Sequence, residues 1–101
     1  MDDFNIESLD DVIHGRLRLG IMAFLSTAGS AEFTVLKARL QATDGNLSVQ
    51  LRKLEEAAYV TIDKAFVGKK PQTTVTLTEQ GRRAYISYLD AMRKLIEDAG
   101  L

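Results

Sequence analysis

The sequence predicts a mainly α-helical domain carrying one small β-hairpin, an α+β chain of 101 residues. Three observations carry that prediction. Within residues 43–58, Leu47, Leu51, Leu54 and Ala58 recur at the spacing of one face of a 3.6-residue period. Residues 59–77 then alternate roughly in twos about Val67-Gly68-Lys69-Lys70-Pro71, the patterning of two strands joined by a turn. From residue 78 the helical period returns, and Ala84, Tyr85, Tyr88, Leu89, Met92, Leu95 and Ile96 form a wide apolar stripe.

Residues 1–15 form an N-terminal arm. Phe4, Ile6, Leu9, Val12 and Ile13 give it an apolar stripe broken by acids, and Ser8 or Asp10 is placed to start a helix. So short a segment lacks a core of its own and must dock on the body of the domain or on a second subunit. The first full helix spans residues 16–28, with Leu17, Ile21, Phe24, Leu25 and Ala28 on one face and Gly29 as its left-handed stop. Ala31, Glu32 and Phe33 read as a short extended piece. Thr34 reads as the cap of a second helix through Leu36 and Leu40. Thr43 caps the third helix with its hydroxyl, so residues 34–58 are two helices joined by a tight turn, a helix-turn-helix. Leu36 and Leu40 should pack beneath Leu47 and Leu51. The face of the third helix opposite the leucines collects Gly45, Ser48, Val49, Arg52 and Lys53, with Asn46 on its shoulder. Short side chains near a helix start, with cations further along, suit a helix laid into a DNA major groove, although an ordinary solvated helix face has the same appearance. Residues 59–77 form the hairpin, with Lys69 and Lys70 at its tip. Residues 78–98 form the last helix, capped by Thr78 with Glu79 at the positive end of its dipole.

Composition sets aside whole classes of function. The chain has no cysteine and one histidine, His14, which excludes disulfides, thiolate chemistry and any site built from several histidines. Gly15 and Gly20 approximate the glycine spacing of a phosphate-binding loop, but Ile21 and Met22 stand where Lys and Ser or Thr are required. No catalytic set emerges, and neither a cofactor nor a metal site is expected. The longest unbroken apolar run is five residues, Ile21 to Leu25, and the acidic start lacks a signal-peptide pattern, so no membrane partner and a cytoplasmic location are expected. Net charge is −1, which by itself argues against a polyanionic partner. The distribution answers that objection: residues 1–15 hold five acids and no Lys or Arg, leaving 13 cations against nine acids in the remainder.

The order of helix, helix, helix, hairpin, helix resembles winged-helix transcriptional regulators of the MarR and ArsR type, most closely the short stand-alone proteins. The likeness is carried by Arg16-Leu17-Arg18-Leu19-Gly20-Ile21-Met22, Phe33-Thr34-Val35-Leu36-Lys37, Thr43-Asp44-Gly45-Asn46-Leu47-Ser48, Leu51-Arg52-Lys53-Leu54-Glu55-Glu56-Ala57, Phe66-Val67-Gly68-Lys69-Lys70-Pro71 and Leu77-Thr78-Glu79-Gln80-Gly81-Arg82, over residues 12 to about 90. The resemblance implies a homodimer on operator DNA, with the third helix in the major groove and the wing on the backbone or in the minor groove. Thr43, Gly45, Asn46, Ser48, Val49 and Arg52 would then face bases or nearby phosphates, and Lys53, Lys69 and Lys70 would meet phosphates. Ala58 stands where relatives usually place a helix-ending glycine. The Cys and His clusters of ArsR-type metal sensors have no counterpart here.

The expected function is therefore that of a sequence-specific, dimeric, DNA-binding transcriptional regulator. Its subunit interface would be built from the N- and C-terminal helices through Phe4, Ile6, Leu9, Tyr85, Tyr88, Leu89, Met92, Leu95 and Ile96. The alternative is a winged helix that binds another protein through Tyr85, Tyr88 and Met92, which the net charge favours slightly. A crevice between the last helix and the DNA-binding half leaves room for a small-molecule effector that no residue indicates.

Overall fold

The computed structural model describes residues 5–100. Phe4, named above for an interface, lies outside them. The elements are a single 3-10 turn at Ile6–Ser8, then α1 (Arg16–Ala28), β1 (Ser30–Glu32), α2 (Phe33–Leu40), α3 (Asp44–Glu56), β2 (Val60–Val67), β3 (Lys70–Leu77) and α4 (Glu79–Asp98).

Local chemistry sets most of these boundaries. The Thr43 hydroxyl accepts from the Asn46 N–H and the Thr78 hydroxyl from the Gly81 N–H, so α3 and α4 start at capped residues. Gly29, at φ 81°, stops α1 and its N–H bonds the Leu25 carbonyl. At the end of α3 the chain turns through Ala58 at φ 65°, with Ala58 N–H on Glu55 O and Tyr59 N–H on Leu54 O. The left-handed stop expected of a glycine is thus kept with an alanine in it, at a cost of up to about 1 kcal/mol. Ala58 is exposed and outside the helix, so the buried face of α3 is Leu47, Leu51 and Leu54 without it.

The second helix departs from expectation. Thr34 does not cap it: α2 begins at Phe33, its cap residue is Glu32, and no side chain bonds the first turn. The reason lies elsewhere in the chain. Ser30, Ala31 and Glu32 pair with Thr76, Val75 and Thr74, which holds the backbone extended through Glu32 and releases it into a helix at the next residue. The sheet accordingly has three antiparallel strands in the order β1-β3-β2 rather than two. The hairpin is also tighter than its sequence suggests. Val67 pairs with Lys70 and Phe66 with Pro71, leaving Gly68 (φ 67°) and Lys69 as a two-residue turn.

The N-terminal arm has no α-helix among its described residues. Asn5 caps the 3-10 turn, and the Asp10 carboxylate accepts from the N–H groups of Val12 and Ile13 to form a second turn. Both turns press the arm onto the domain. Leu9 and Ile13 enter the core, the Tyr59 hydroxyl donates to Asp10, and His14 Nδ1 lies 2.7 Å from the Tyr88 hydroxyl. Burial first, and the Asp10 carboxylate second, push the Tyr59 phenol up to about 12.

The core joins Ile13, Ile21, Met22, Leu25, Leu36, Leu47, Leu51, Leu54, Val60, Val75, Leu77 and Tyr88, each in the range of about 1.5–3 kcal/mol for a large apolar side chain fully withdrawn from water. Met22 is buried completely although the α1 face expected from periodicity omits it, while Ala28 is exposed. Burial of Leu9 and Tyr88 inside the chain also removes them from the expected subunit interface. Outside the core, residues 63–71 of the hairpin are all exposed, and no residue of α4 beyond Tyr88 is fully buried.

Candidate nucleic-acid interface

Leu47, Leu51 and Leu54 fix the rotation of α3 about its own axis, and everything on its other side follows from that. Gly45, Asn46, Ser48, Val49, Arg52 and Lys53 are all exposed, as is the cap residue Thr43. The Thr43 hydroxyl is occupied by the Asn46 N–H. Asp44, in the first turn, is held 2.8 Å from Lys37 of α2, which neutralises the acid nearest the helix start. Glu55 and Glu56 lie at the opposite end of the helix.

Two clefts border this helix. One, of about 670 Å³, separates it from the sheet and is lined by Phe33, Asp44, Ser48, Leu51, Arg52 and Glu55 on the helical side and Ile62, Lys64 and Thr73 on the strands. Register explains the strand residues. Val60–Leu77, Ile62–Val75, Lys64–Thr73 and Phe66–Pro71 are directly opposed pairs, so they share one face of the hairpin, and that face is apolar at its base, carries Lys64 in its middle and ends in the exposed Phe66 and Pro71. The other cleft, of about 490 Å³, lies between α3 and the start of α1, lined by Gly15, Arg16, Leu17 and Arg18 together with Leu40, Gln41, Ala42, Thr43, Asn46 and Gln50.

Ser48 and Arg52 thus share a cleft with the hairpin, whereas Lys69 and Lys70 sit at its far end, Lys69 in the turn and Lys70 in the first pair of β3. Sequence periodicity did not single out Lys64, Arg16, Arg18 or Gln50. Lys64 carried a usable signal, being two residues beyond Ile62 on an alternating strand. The placement of Arg16, Arg18 and Gln50 against Asn46 depends on α1 packing on α3 and has no local signature. Nor did the pattern mark Phe66 and Val67, which are 73% and 62% exposed beside the wing lysines. Among the described residues, Arg52, Lys53, Lys64, Lys69 and Lys70 are exposed and form no ion pair, so α3 and the wing carry five cations that no carboxylate holds.

The winged helix DNA-binding domain family matches residues 17–96 of the chain, four of its helices and all of its sheet. The chain belongs to that family. A relative of this winged helix, an uncharacterised protein of Methanocaldococcus jannaschii, is 35% identical over 78 residues, 77% of this chain and 85% of the relative. Among solved structures, a transcriptional regulator homologue from Pyrococcus horikoshii OT3 superposes with a TM-score of 0.79 at 29% identity, covering 95% of this chain and all of the other. Reduced AbfR, solved bound to DNA, shares the fold at a TM-score of 0.67 and 19% identity, over 74% of this chain and 54% of its own. The chain is therefore a winged helix DNA-binding domain, and its solved relative at 29% identity is a transcriptional regulator homologue. No helix among the described residues is long and apolar enough to cross a membrane.

Proposed function

We propose that this winged helix is a dimeric, sequence-specific regulator of transcription that lays α3 in the major groove of operator DNA and its wing along the backbone or in the minor groove. The observation that carries the reading is the set of unpaired cations on α3 and the wing, framing a helix face otherwise made of short side chains. Gly45 and Ser48 permit close approach, Val49 suits a thymine methyl, and Arg52 reaches a base edge or its phosphate. Lys53, Lys64, Lys69 and Lys70 neutralise phosphates on either side. The DNA-bound AbfR structure supports the same use of this fold.

Dimerisation falls to α4. Ile86, Leu89 and Ile96 are exposed, with Tyr85, Met92 and Leu95 half-buried beside them, so the helix retains an apolar face after it has covered its own core. Ile6 is exposed at the arm and adds to that surface. Two copies joined there present two recognition helices, which fits half-sites about 10–10.5 base pairs apart or a multiple of that spacing. Selection of bound fragments from genomic DNA, with sedimentation of the free protein, tests both halves of the proposal. It predicts paired half-sites at that spacing and a dimer; a monomer that enriches no sequence contradicts it.

A further inference from the structure

Where α1 meets α3, Arg18 of α1 and Gln50 and Asn46 of α3 are linked by hydrogen bonds that have only one permissible direction. Arg18 donates its Nε–H to the Val12 carbonyl and an Nη1–H to Gln50, and Gln50 in turn meets Asn46 at 3.1 Å. Arginine has donors and no acceptor. The Gln50 atom it touches must therefore be the carbonyl oxygen Oε1, which turns Nε2 toward Asn46. The Asn46 atom that receives Nε2 must then be Oδ1. The charge of Arg18 thus settles two amide orientations that density alone leaves ambiguous in most proteins. The outcome is that Asn46 holds its oxygen inward, while its Nδ2 amino group makes no hydrogen bond among the described residues and faces away from the partner that fixes it.

Room for this arrangement is built into the chain. A Cβ on Gly15 would lie 2.6 Å from Arg18 Nη2 and 2.8 Å from its Cζ, so the guanidinium occupies space that any other residue at position 15 would fill. Gly15 is extended, at φ −154°, a conformation open to every residue, so the glycine serves the seat of Arg18 and not a turn.

We infer that Asn46 reads a hydrogen-bond acceptor on a base edge in the major groove, and that Arg18 and Gln50 are positioning residues that make it a donor without touching DNA themselves. This rests on the DNA-binding reading above. Guanine offers two acceptors, O6 and N7, thymine O4 and adenine N7, whereas cytosine offers the N4 amino donor and is rejected by an outward N–H. The same logic shows how to reverse the preference. In Gln50→Glu the carboxylate still accepts from Arg18 but has nothing to donate, so Asn46 must turn its Nδ2 inward and present Oδ1, an acceptor, to the duplex.

The test is selection from a randomised duplex library with purified wild-type, Asn46→Ala, Gln50→Glu and Gly15→Ala proteins, with circular dichroism to verify that each is folded. Wild type should favour guanine over cytosine about tenfold at one position of each half-site, in line with the roughly 1–3 kcal/mol that separates a matched from a mismatched base contact. Asn46→Ala should erase that preference, and Gln50→Glu should move it to cytosine or adenine. Gly15→Ala, which displaces the guanidinium without altering the DNA-facing surface, should flatten it even if Gln50→Glu does not fold. A uniform loss of affinity in Asn46→Ala, with base preferences intact, would make Asn46 a phosphate contact and overturn the inference. An acceptor preference unchanged in both Gln50→Glu and Gly15→Ala would overturn the relay while leaving DNA binding standing. Failure of the wild type to enrich any sequence would remove the DNA-binding reading and this inference with it.

Discussion

On α4, Arg83, Arg93 and Lys94 each lie within 4.0 Å of a carboxylate supplied by Glu79, Asp90 or Glu97 on the same helix, whereas Arg52, Lys53, Lys64, Lys69 and Lys70 on α3 and the wing meet none among the described residues. The Arg93 guanidinium holds the Asp90 carboxyl below the usual carboxylate range, the signature of a charge answered locally. Exposed pairs of this kind are screened by solvent and stabilise little, so their value to α4 is not chiefly stability. They remove net charge from the helix and leave its apolar stripe as the feature available to another surface. On α3 and the wing the cations have no carboxylate partner among the described residues, which leaves them available to pair with phosphate. On the function proposed above, the difference separates one surface fitted to a like subunit from one fitted to phosphate.

The two surfaces are most vulnerable together where they join. Thr78 binds both Ala58 and Tyr59 carbonyls, and α4 passes so close that a Cβ on Gly81 would lie 2.1 Å from the Tyr59 oxygen. Gly81→Ala must therefore push α4 off the α3–β2 turn. We expect a loss of about 1–3 kcal/mol, which lowers the melting temperature by several degrees or more and weakens both surfaces together. Calorimetry checks it, and an unchanged midpoint would show that the junction yields freely.

A smaller change sharpens the contrast. Lys69→Ala with Lys70→Ala should weaken binding to every duplex and lower the slope of log K against log salt by about 0.9 for each phosphate left without its lysine. Arg93→Ala should leave that slope alone. Fluorescence anisotropy titrations between about 50 and 200 mM salt distinguish them, and equal effects would erase the distinction between the faces. The smallest change touches neither face. Ala58→Gly relieves an exposed left-handed alanine and should stabilise the fold by up to about 1 kcal/mol with DNA affinity unchanged, as read from denaturant midpoints.

Elements whose limits are set by near neighbours were legible in the sequence. α1 is stopped by Gly29 and α3 starts at its Thr43 cap, and these observed limits agree with local chemistry. Thr34 misled because pairing with β3, some forty residues away in sequence, outweighs a cap-forming side chain. The same holds for the site. The exposed face of α3 follows from three leucines, but Lys64 joins it only through hairpin register, and Arg18 and Gln50 only through the packing of α1 on α3. Leu9 and Tyr88 look like interface residues in a linear stripe and prove to be core, because the arm folds back onto α4. Periodicity reports which side of an element is apolar; it does not report which neighbour covers it.

The central claim, that the face of α3 and the wing is the one that meets the duplex, is tested most directly by amide chemical shifts of labelled protein titrated with operator DNA. Changes should concentrate on Gly45, Asn46, Ser48, Val49, Arg52, Lys53, Lys64, Lys69 and Lys70, with Ile86 through Ile96 unmoved. Shifts gathered on α4 instead, with α3 and the hairpin silent, would contradict the account.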